Sequence, residues 1–189
     1  GPRGRLEAEL VRDNALAISG LLSEKMFGPS VFPPQPPGVT SEGTYGPLSW
    51  RVSEGEDRYR RGLYTFAKRT APYAMFTTFD AGSGEACIAR REVSNTPLQA
   101  LAMLNDGVLI EAAQKLGEEV VNRPGTVAEK LVYLFRRCLT RPPSKTELTF
   151  LSDFYKKVED RLAKNEINAV DISGAKTPDS NARAIWTLV

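Results

Sequence analysis

Ser94-Asn95-Thr96-Pro97-Leu98-Gln99-Ala100-Leu101-Ala102-Met103-Leu104-Asn105-Asp106 carries nearly every signal of a helix start. Thr96 suits the N-cap, where its hydroxyl accepts from a backbone N–H that has no partner inside the first turn. Pro97 falls at the first helical position, where its missing N–H costs nothing and its fixed φ already fits. Gln99 stands three residues past the cap and reaches back to the Thr96 N–H, which closes a capping box. Leu98, Leu101 and Met103-Leu104 supply the expected apolar face. The device recurs twice. Thr126 with Glu129 precedes Leu131, Leu134 and Leu139, and Ser144 with Glu147 precedes Leu148, Leu151, Tyr155, Val158 and Leu162. Three boxes that each open a run of helical spacing predict a mainly α fold.

The chain has 189 residues, 41% of them hydrophobic, which is enough for a buried core. A formal charge of +2 does not point to nucleic acid or another polyanion as partner, and the basic pairs Arg60-Arg61, Lys68-Arg69, Arg90-Arg91 and Arg136-Arg137 are dispersed. No stretch reaches the length of a membrane-spanning helix. Histidine is absent, which excludes a Ser-His-Asp or Cys-His pair, a histidine zinc site and a histidine-ligated haem within this chain. No metal or cofactor is expected. Cys87 and Cys138 are the two cysteines. They are able to pair in an exported protein, but Cys138 falls in the apolar stripe of its helix and is expected as a buried free thiol.

Working outward, Leu6 to Leu22 reads as a first helix with Leu6, Leu10, Val11, Ile18, Leu21 and Leu22 on one face. Residues 1–27 hold it. Residues 28–50 are broken by Pro29, Pro33, Pro34, Pro36, Pro37 and Pro47, yet carry Val31, Phe32, Val39, Tyr45 and Trp50. An ordered, extended loop laid on the domain is expected there, with a ligand groove as the sharper alternative. Residues 51–94 form an irregular segment. Its first part fits two short strands around a turn at Ser53–Asp57, a small β-hairpin, or a helix over 59–68. Residues 95–164 are the helical core, in a bundle-like or orthogonal arrangement. Residues 165–189 are a polar loop followed by a helix from Asn181. The chain opens at once into a helical pattern and closes on an apolar run, so it is expected to be one domain, 1–189, cut from a longer polypeptide.

Several of these motifs together resemble a planctomycete-type domain of unknown function, the family numbered 1553. The matching residues include Arg5-Leu6-Glu7-Ala8-Glu9, Arg12-Asp13-Asn14, Gly28-Pro29-Ser30-Val31, Tyr59-Arg60-Arg61-Gly62-Leu63-Tyr64 and Lys68-Arg69-Thr70-Ala71-Pro72. Phe79-Asp80, Glu85, Cys87, Arg90-Arg91, Asn95-Thr96-Pro97-Leu98-Gln99 and Arg141-Pro142-Pro143 continue the match, which covers roughly residues 5–155. The resemblance implies a large, multidomain, exported parent, periplasmic or in the cell envelope. Such parents often carry a cytochrome c domain, and a link to redox or polysaccharide-degrading systems follows. It implies other domains of the same polypeptide as partners, and no catalytic residue. By its residues alone, Asn105-Asp106-Gly107 interrupts the helical pattern and Asp106 suits the cap of a second helix carrying Val108, Leu109, Ala112, Leu116 and Val120; Gly107 stands where the family tends to have proline, which favours one kinked helix through this region over two capped ones. Gly84 stands where the family tends to have arginine, and Val93-Ser94 where it tends to have a basic residue and threonine, which weakens an anion site built there.

The candidate site gathers Asp80, Glu85, Cys87, Arg90 and Arg91 just ahead of a helix N-terminus. Asp80 and Glu85 are the candidate catalytic acids, as a carboxylate pair for glycoside hydrolysis. Against this, they equally suit ion pairs with Arg90, Arg91, Arg60 or Arg61 that fasten the loop. Arg90 and Arg91 are candidate ligand-binding residues. Trp50 and Tyr64, with Tyr59, Phe66 and Tyr73, make either a sugar-stacking platform or the core beneath the Pro-rich loop. Arg12-Asp13-Asn14 in the first helix reads as a salt bridge or an interhelix hydrogen bond. Three function classes stay open: a non-catalytic interaction or structural module, part of a polysaccharide-acting hydrolase, and a carbohydrate-binding module.

Overall fold

A computed structural model describes residues 4–36, 38, 50–69, 71–82, 84 and 87–189. The fold is mainly α. Among the described residues there are eight α-helices, two 3-10 turns and no extended strand. The chain forms two compact units: Gly1–Ala17 with Leu21–Ile110, and Ile18–Gly20 with Glu111–Val189.

The first unit holds most of α1 (Ala8–Ser19), then α2 (Ala74–Thr78), α3 (Pro97–Asn105) and the start of α4 (Gly107–Asn122). Helix α1 is shorter than its pattern predicts. Gly20 takes a left-handed φ of 75°, and the N–H groups of Leu21 and Leu22 both donate to the Leu16 carbonyl, which closes the helix. Its inward face also differs from the predicted one. Ala8, Arg12, Leu16 and Ser19 are buried, whereas Leu6 and Leu10 are exposed. The reason is the neighbour: α1 packs against backbone. A Cβ at Gly62 would stand 3.0 Å from Glu9 Cβ and 3.2 Å from its Cα. The core of this unit is Ala8, Tyr73, Met75, Phe79 and Leu109, with Trp50 and Phe76 against it.

The predicted hairpin at 50–69 is replaced by 3-10 turns at Gly55–Tyr59 and Gly62–Tyr64, and the helix over 59–68 does not form. The backbone bonds here are local or go to the Pro-rich segment. Thr65 N–H donates to Gly62 O, while Val31 and Phe66 bond reciprocally to Tyr64 O and Val31 O. Isolated parallel bridges, Ser23 with Arg60 and Val31 with Thr65, are all that the prolines allow. The described part of the Pro-rich segment is ordered and extended, with Val31 buried and Phe32 bonded to Ser53 in both directions. Pro37, Val39, Tyr45, Pro47, Thr70 and Glu85 lie outside the described residues.

All three capping boxes form. At α3, however, the expected apolar face points outward. Leu98, Leu101, Met103 and Leu104 are exposed, Leu104 by 74%, while Gln99 is 4% exposed. The polar face is buried because Gln99 has a full set of hydrogen-bond partners beneath it. The single kinked helix that the family resemblance at Gly107 favours does not form; Asp106, which the residue pattern offers as the cap of a second helix, does separate two helices. Its backbone is extended, and its Oδ1 accepts from the N–H of Val108 (2.9 Å) and Leu109 (3.3 Å).

The second unit contains the rest of α4 with α5 (Val127–Leu139), α6 (Lys145–Ala163), α7 (Ala169–Ser173) and α8 (Ser180–Leu188). Leu116, Val120, Leu131, Leu134 and Trp186 form one cluster, and Val158, Leu162, Ala184 and Ile185 a second. Helices α4 and α8 touch backbone to backbone at Gly117, where a Cβ would meet Thr187 N at 3.0 Å. The expected loop at 165–179 contains α7, capped by the Asn168 side chain on Val170 N–H. Cys138 is exposed, not buried, because α5 buries Leu131 and Leu134 and its last turn extends past that contact; both cysteines are free thiols.

Candidate functional site

The polar architecture of the first unit centres on α1 and the residues after it. Arg12 is fully buried, and its guanidinium donates to the carbonyls of Arg60 and Arg58 (2.9 Å to the latter) and lies 3.6 Å from Asp13. Burial lowers its pKa from the usual value, with Tyr73, Asp13 and Asp106 opposing. Asp13 accepts from Gly62 N–H at 2.6 Å, yet burial raises its pKa. Arg60 is also fully buried. It donates to the carbonyls of Lys25 (3.4 Å), Phe27 and Pro29 (3.0 Å) and lies 3.8 Å over the Tyr64 ring. Two buried cations that bond to backbone carbonyls fix loops in place.

The segment before α3 forms a second cluster. Asp80 has φ 64°, uncommon for a residue with a Cβ. Its carboxylate accepts from Ser94 N–H (2.9 Å), Ser94 Oγ (2.7 Å), Gln99 Nε2 (3.3 Å) and Arg5 (3.4 Å). These bonds, those from Ser94 first, hold its pKa below the usual carboxylate range. Gln99 Nε2 also donates to Thr78 O and Ser94 Oγ, so Asp80 sits inside a polar latch that joins the end of α2 to the start of α3. Arg91 forms a two-pronged pair with Glu9 (2.7 and 2.9 Å) and lies 3.5 Å from Glu7. This pair lowers the Glu9 pKa and raises that of Arg91. Arg90 and Cys87 are exposed. Asp80, Arg90 and Arg91 line one small pocket of 180 Å³ with Arg5 and Glu92. Glu85 falls outside the described residues, so no carboxylate separation is defined.

Trp50 and Tyr64 lie apart from that pocket in their contacts. Trp50 donates to Pro33 O at 2.7 Å, meets Phe32 edge-on and stacks parallel to Tyr73 at 6.1 Å. Tyr64 carries Arg60 on its face and accepts Phe27 N–H at 2.8 Å. Both rings are half-buried, and each has one face covered, Trp50 by Tyr73 and Tyr64 by Arg60.

A larger groove of 510 Å³ runs between α1, residues 61–69 and residues 72–82 with Gly84. It is lined by the apolar Leu10, Leu63, Phe66, Pro72 and Phe76, with Leu10 and Leu63 exposed, and by the acids Glu7, Glu9 and Asp13 and the bases Arg61, Lys68 and Arg69. Sequence reasoning missed this groove and Phe27, because each depends on a close approach of α1 to Gly62 or on a left-handed loop that no periodicity encodes. Among the described residues no group of three or more acidic or cysteine side chains is arranged to hold a metal ion, and no helix is long and apolar enough to cross a membrane.

Buried arginine clamps and a polar latch around Asp80 and Gln99 thus organise the first unit of a mainly α fold. The chain belongs to the family described as protein of unknown function (DUF1553), whose model matches residues 1–155. No curated protein and no solved structure matches it.

Proposed function

We propose that this chain is a non-catalytic interaction or structural module of a large exported protein of planctomycete type, located in the periplasm or cell envelope. Other domains of the same polypeptide, in some parents a cytochrome c domain, are its partners. The observation that carries the reading is the reversal of α3: Leu98, Leu101 and Leu104 line its outer face, while its inner side buries Gln99 beside the small Ala102. Apolar stripes of this kind mark contact surfaces. The family resemblance supplies the exported, multidomain setting.

The alternatives are a polysaccharide-acting hydrolase and a carbohydrate-binding module. The first needs a carboxyl with a raised pKa as general acid, and Asp80 is pushed the other way by its four hydrogen-bond donors. The second needs open aromatic faces, and Trp50 is stacked on Tyr73 while Tyr64 carries the Arg60 guanidinium on one face. The test is a binding screen of the purified chain against a broad polysaccharide panel, with released reducing ends read from the same wells. No binding and no release are expected. Either signal overturns the reading in favour of the corresponding alternative.

A further inference from the structure

We propose that Met26 is a redox modification site: hydrogen peroxide oxidises its thioether to the sulfoxide, and Tyr64 then holds the new oxygen, turning an apolar loop tip into a polar, fastened one. The proposal is independent of the interaction-module reading. Met26 is 50% exposed, so a small peroxide reaches it from water, and Tyr64 Oη donates to its Sδ at 3.7 Å. The other two methionines lack this combination. Met75 is buried in the core, and Met103 is exposed on α3 with no hydrogen bond to its sulfur among the described residues. A thioether sulfur is a weak acceptor, so the Tyr64 hydroxyl is poorly used as the loop stands. A sulfoxide oxygen is a strong acceptor in the same place.

The peptide groups on both sides of Met26 are fixed. The Lys25 carbonyl before it accepts from the fully buried Arg60 at 3.4 Å, and the Phe27 N–H after it donates to Tyr64 Oη at 2.8 Å. Arg60 also donates to the carbonyls of Phe27 and Pro29 (3.0 Å to the latter). Phe27 takes φ 63°, which bulky residues rarely adopt and which persists where the surroundings over-determine it. The main chain therefore holds Met26 at Tyr64, and only its flexible side chain is left to adjust. Tyr64 is fixed as well. The Arg60 guanidinium lies 3.8 Å over its ring, and a cation on that face makes the phenol a better donor. Because Tyr64 Oη accepts from Phe27, its own proton is the one that points at Met26.

In the step, a sulfur lone pair attacks one peroxide oxygen. The S–O bond forms as the O–O bond breaks, and the second oxygen takes the proton of the first and leaves as water. Sulfur gives up two electrons and the peroxide accepts them. The Tyr64 proton stays on Tyr64, and its hydrogen bond passes from sulfur to the sulfoxide oxygen. The tip that Met26 shares with the 79% exposed Phe27 then carries a polar group in place of a thioether.

The full chain with Cys87→Ser, Cys138→Ser and Met103→Leu, which removes the other exposed sulfurs, is treated with hydrogen peroxide. The singly oxidised protein is purified, and peptide mass mapping locates the oxygen. It is expected on Met26. The melting midpoint of the oxidised protein should exceed that of the untreated protein by roughly 2–4 °C, the shift that one added hydrogen bond gives a chain of this length. Tyr64→Phe in the same background should oxidise at Met26 and gain nothing, and peroxide should leave the midpoint of Met26→Leu unchanged. Each variant is compared with its own untreated form, so a loss of stability from the substitution itself does not enter. A Met26 that resists peroxide able to oxidise Met103 in the unsubstituted chain, an oxidised midpoint that is unchanged or lower, or an equal gain in Tyr64→Phe overturns the proposal.

Discussion

Gln99 does the work of several residues at once. Its Oε1 accepts Thr96 N–H to complete the capping box, and its Nε2 donates to Thr78 O, Asp80 and Ser94 Oγ. Replacing it by alanine leaves those acceptors and the Thr96 N–H short of a partner in a half-buried setting. Gln99→Ala should therefore lower the unfolding free energy by about 1–3 kcal/mol, whereas Leu101→Ala on the outer face should change it by less than about 0.5 kcal/mol. Urea denaturation of the two variants measures both, and a larger loss at Leu101 would refute the orientation of α3. Gly62 makes a second residue-scale argument. Its missing Cβ is what lets Asp13 take the Gly62 N–H, since a methyl there would press on the Glu9 Cα at 3.2 Å. Backbone has no flexible end to move aside, so Gly62→Ala should destabilise by about 1–3 kcal/mol, read in the same denaturation experiment.

At the scale of elements, the caps set where helices begin. Thr126 lies on an exposed turn, and its hydroxyl accepts Glu129 N–H at 3.3 Å while Glu129 returns to Thr126 N–H at 2.7 Å. Removing the hydroxyl leaves one first-turn donor to water alone, so Thr126→Ala should cost about 1 kcal/mol in chemical denaturation with no change in far-ultraviolet helix signal. An unchanged midpoint would mean that α5 begins without its cap. These starts were legible because a cap is a local bond between residues three apart, and the sequence spells out both partners. The inward faces were not. Leucines at helical spacing in α3 suggest a core face, but Thr78 and Asp80 meet the opposite side, and that contact joins residues about 20 apart. The same holds for α1, where Arg12 is buried by a backbone segment 46–48 positions away. Of the candidate site, Asp80, Arg90 and Arg91 do share a pocket, as their proximity in sequence suggests. What chemistry they offer depends on Ser94, Gln99 and Glu9, whose roles arise only when α1, α2 and α3 pack.

Over the whole molecule, these bonds fix how the fold responds to acid. Asp80, Glu9, Glu118, Glu147 and Asp179 all have pKa values held down by donors, Glu147 to about 2 by Arg141 and the Ser144 cap. A carboxyl whose folded pKa lies below its unfolded one contributes stability that is fully present above the unfolded value, about 4 for these groups. That contribution is lost as pH falls through the folded value. Asp13 has the opposite sign, because burial raises its pKa and protonation relieves it on the way down. These lowered groups, with Glu129 held down by its bonds from Thr126 as a sixth, outweigh it, so the melting temperature should fall steadily below about pH 4. Asp80 isolates one part of that slope. Asparagine in its place keeps the shape but loses the charge that Ser94, Gln99 and Arg5 address, so Asp80→Asn should melt lower than wild type at neutral pH. Below about pH 4 the unfolded chain's carboxyl takes up its proton first, and the folded Asp80 follows only as pH falls through its lowered value, so the gap between the two proteins should narrow progressively over that range. Thermal melts of both from neutral pH into acid measure it. A gap that stays constant throughout would mean that the Asp80 carboxylate carries no charge-dependent share of the latch, and with it the structural role assigned to this residue would fail.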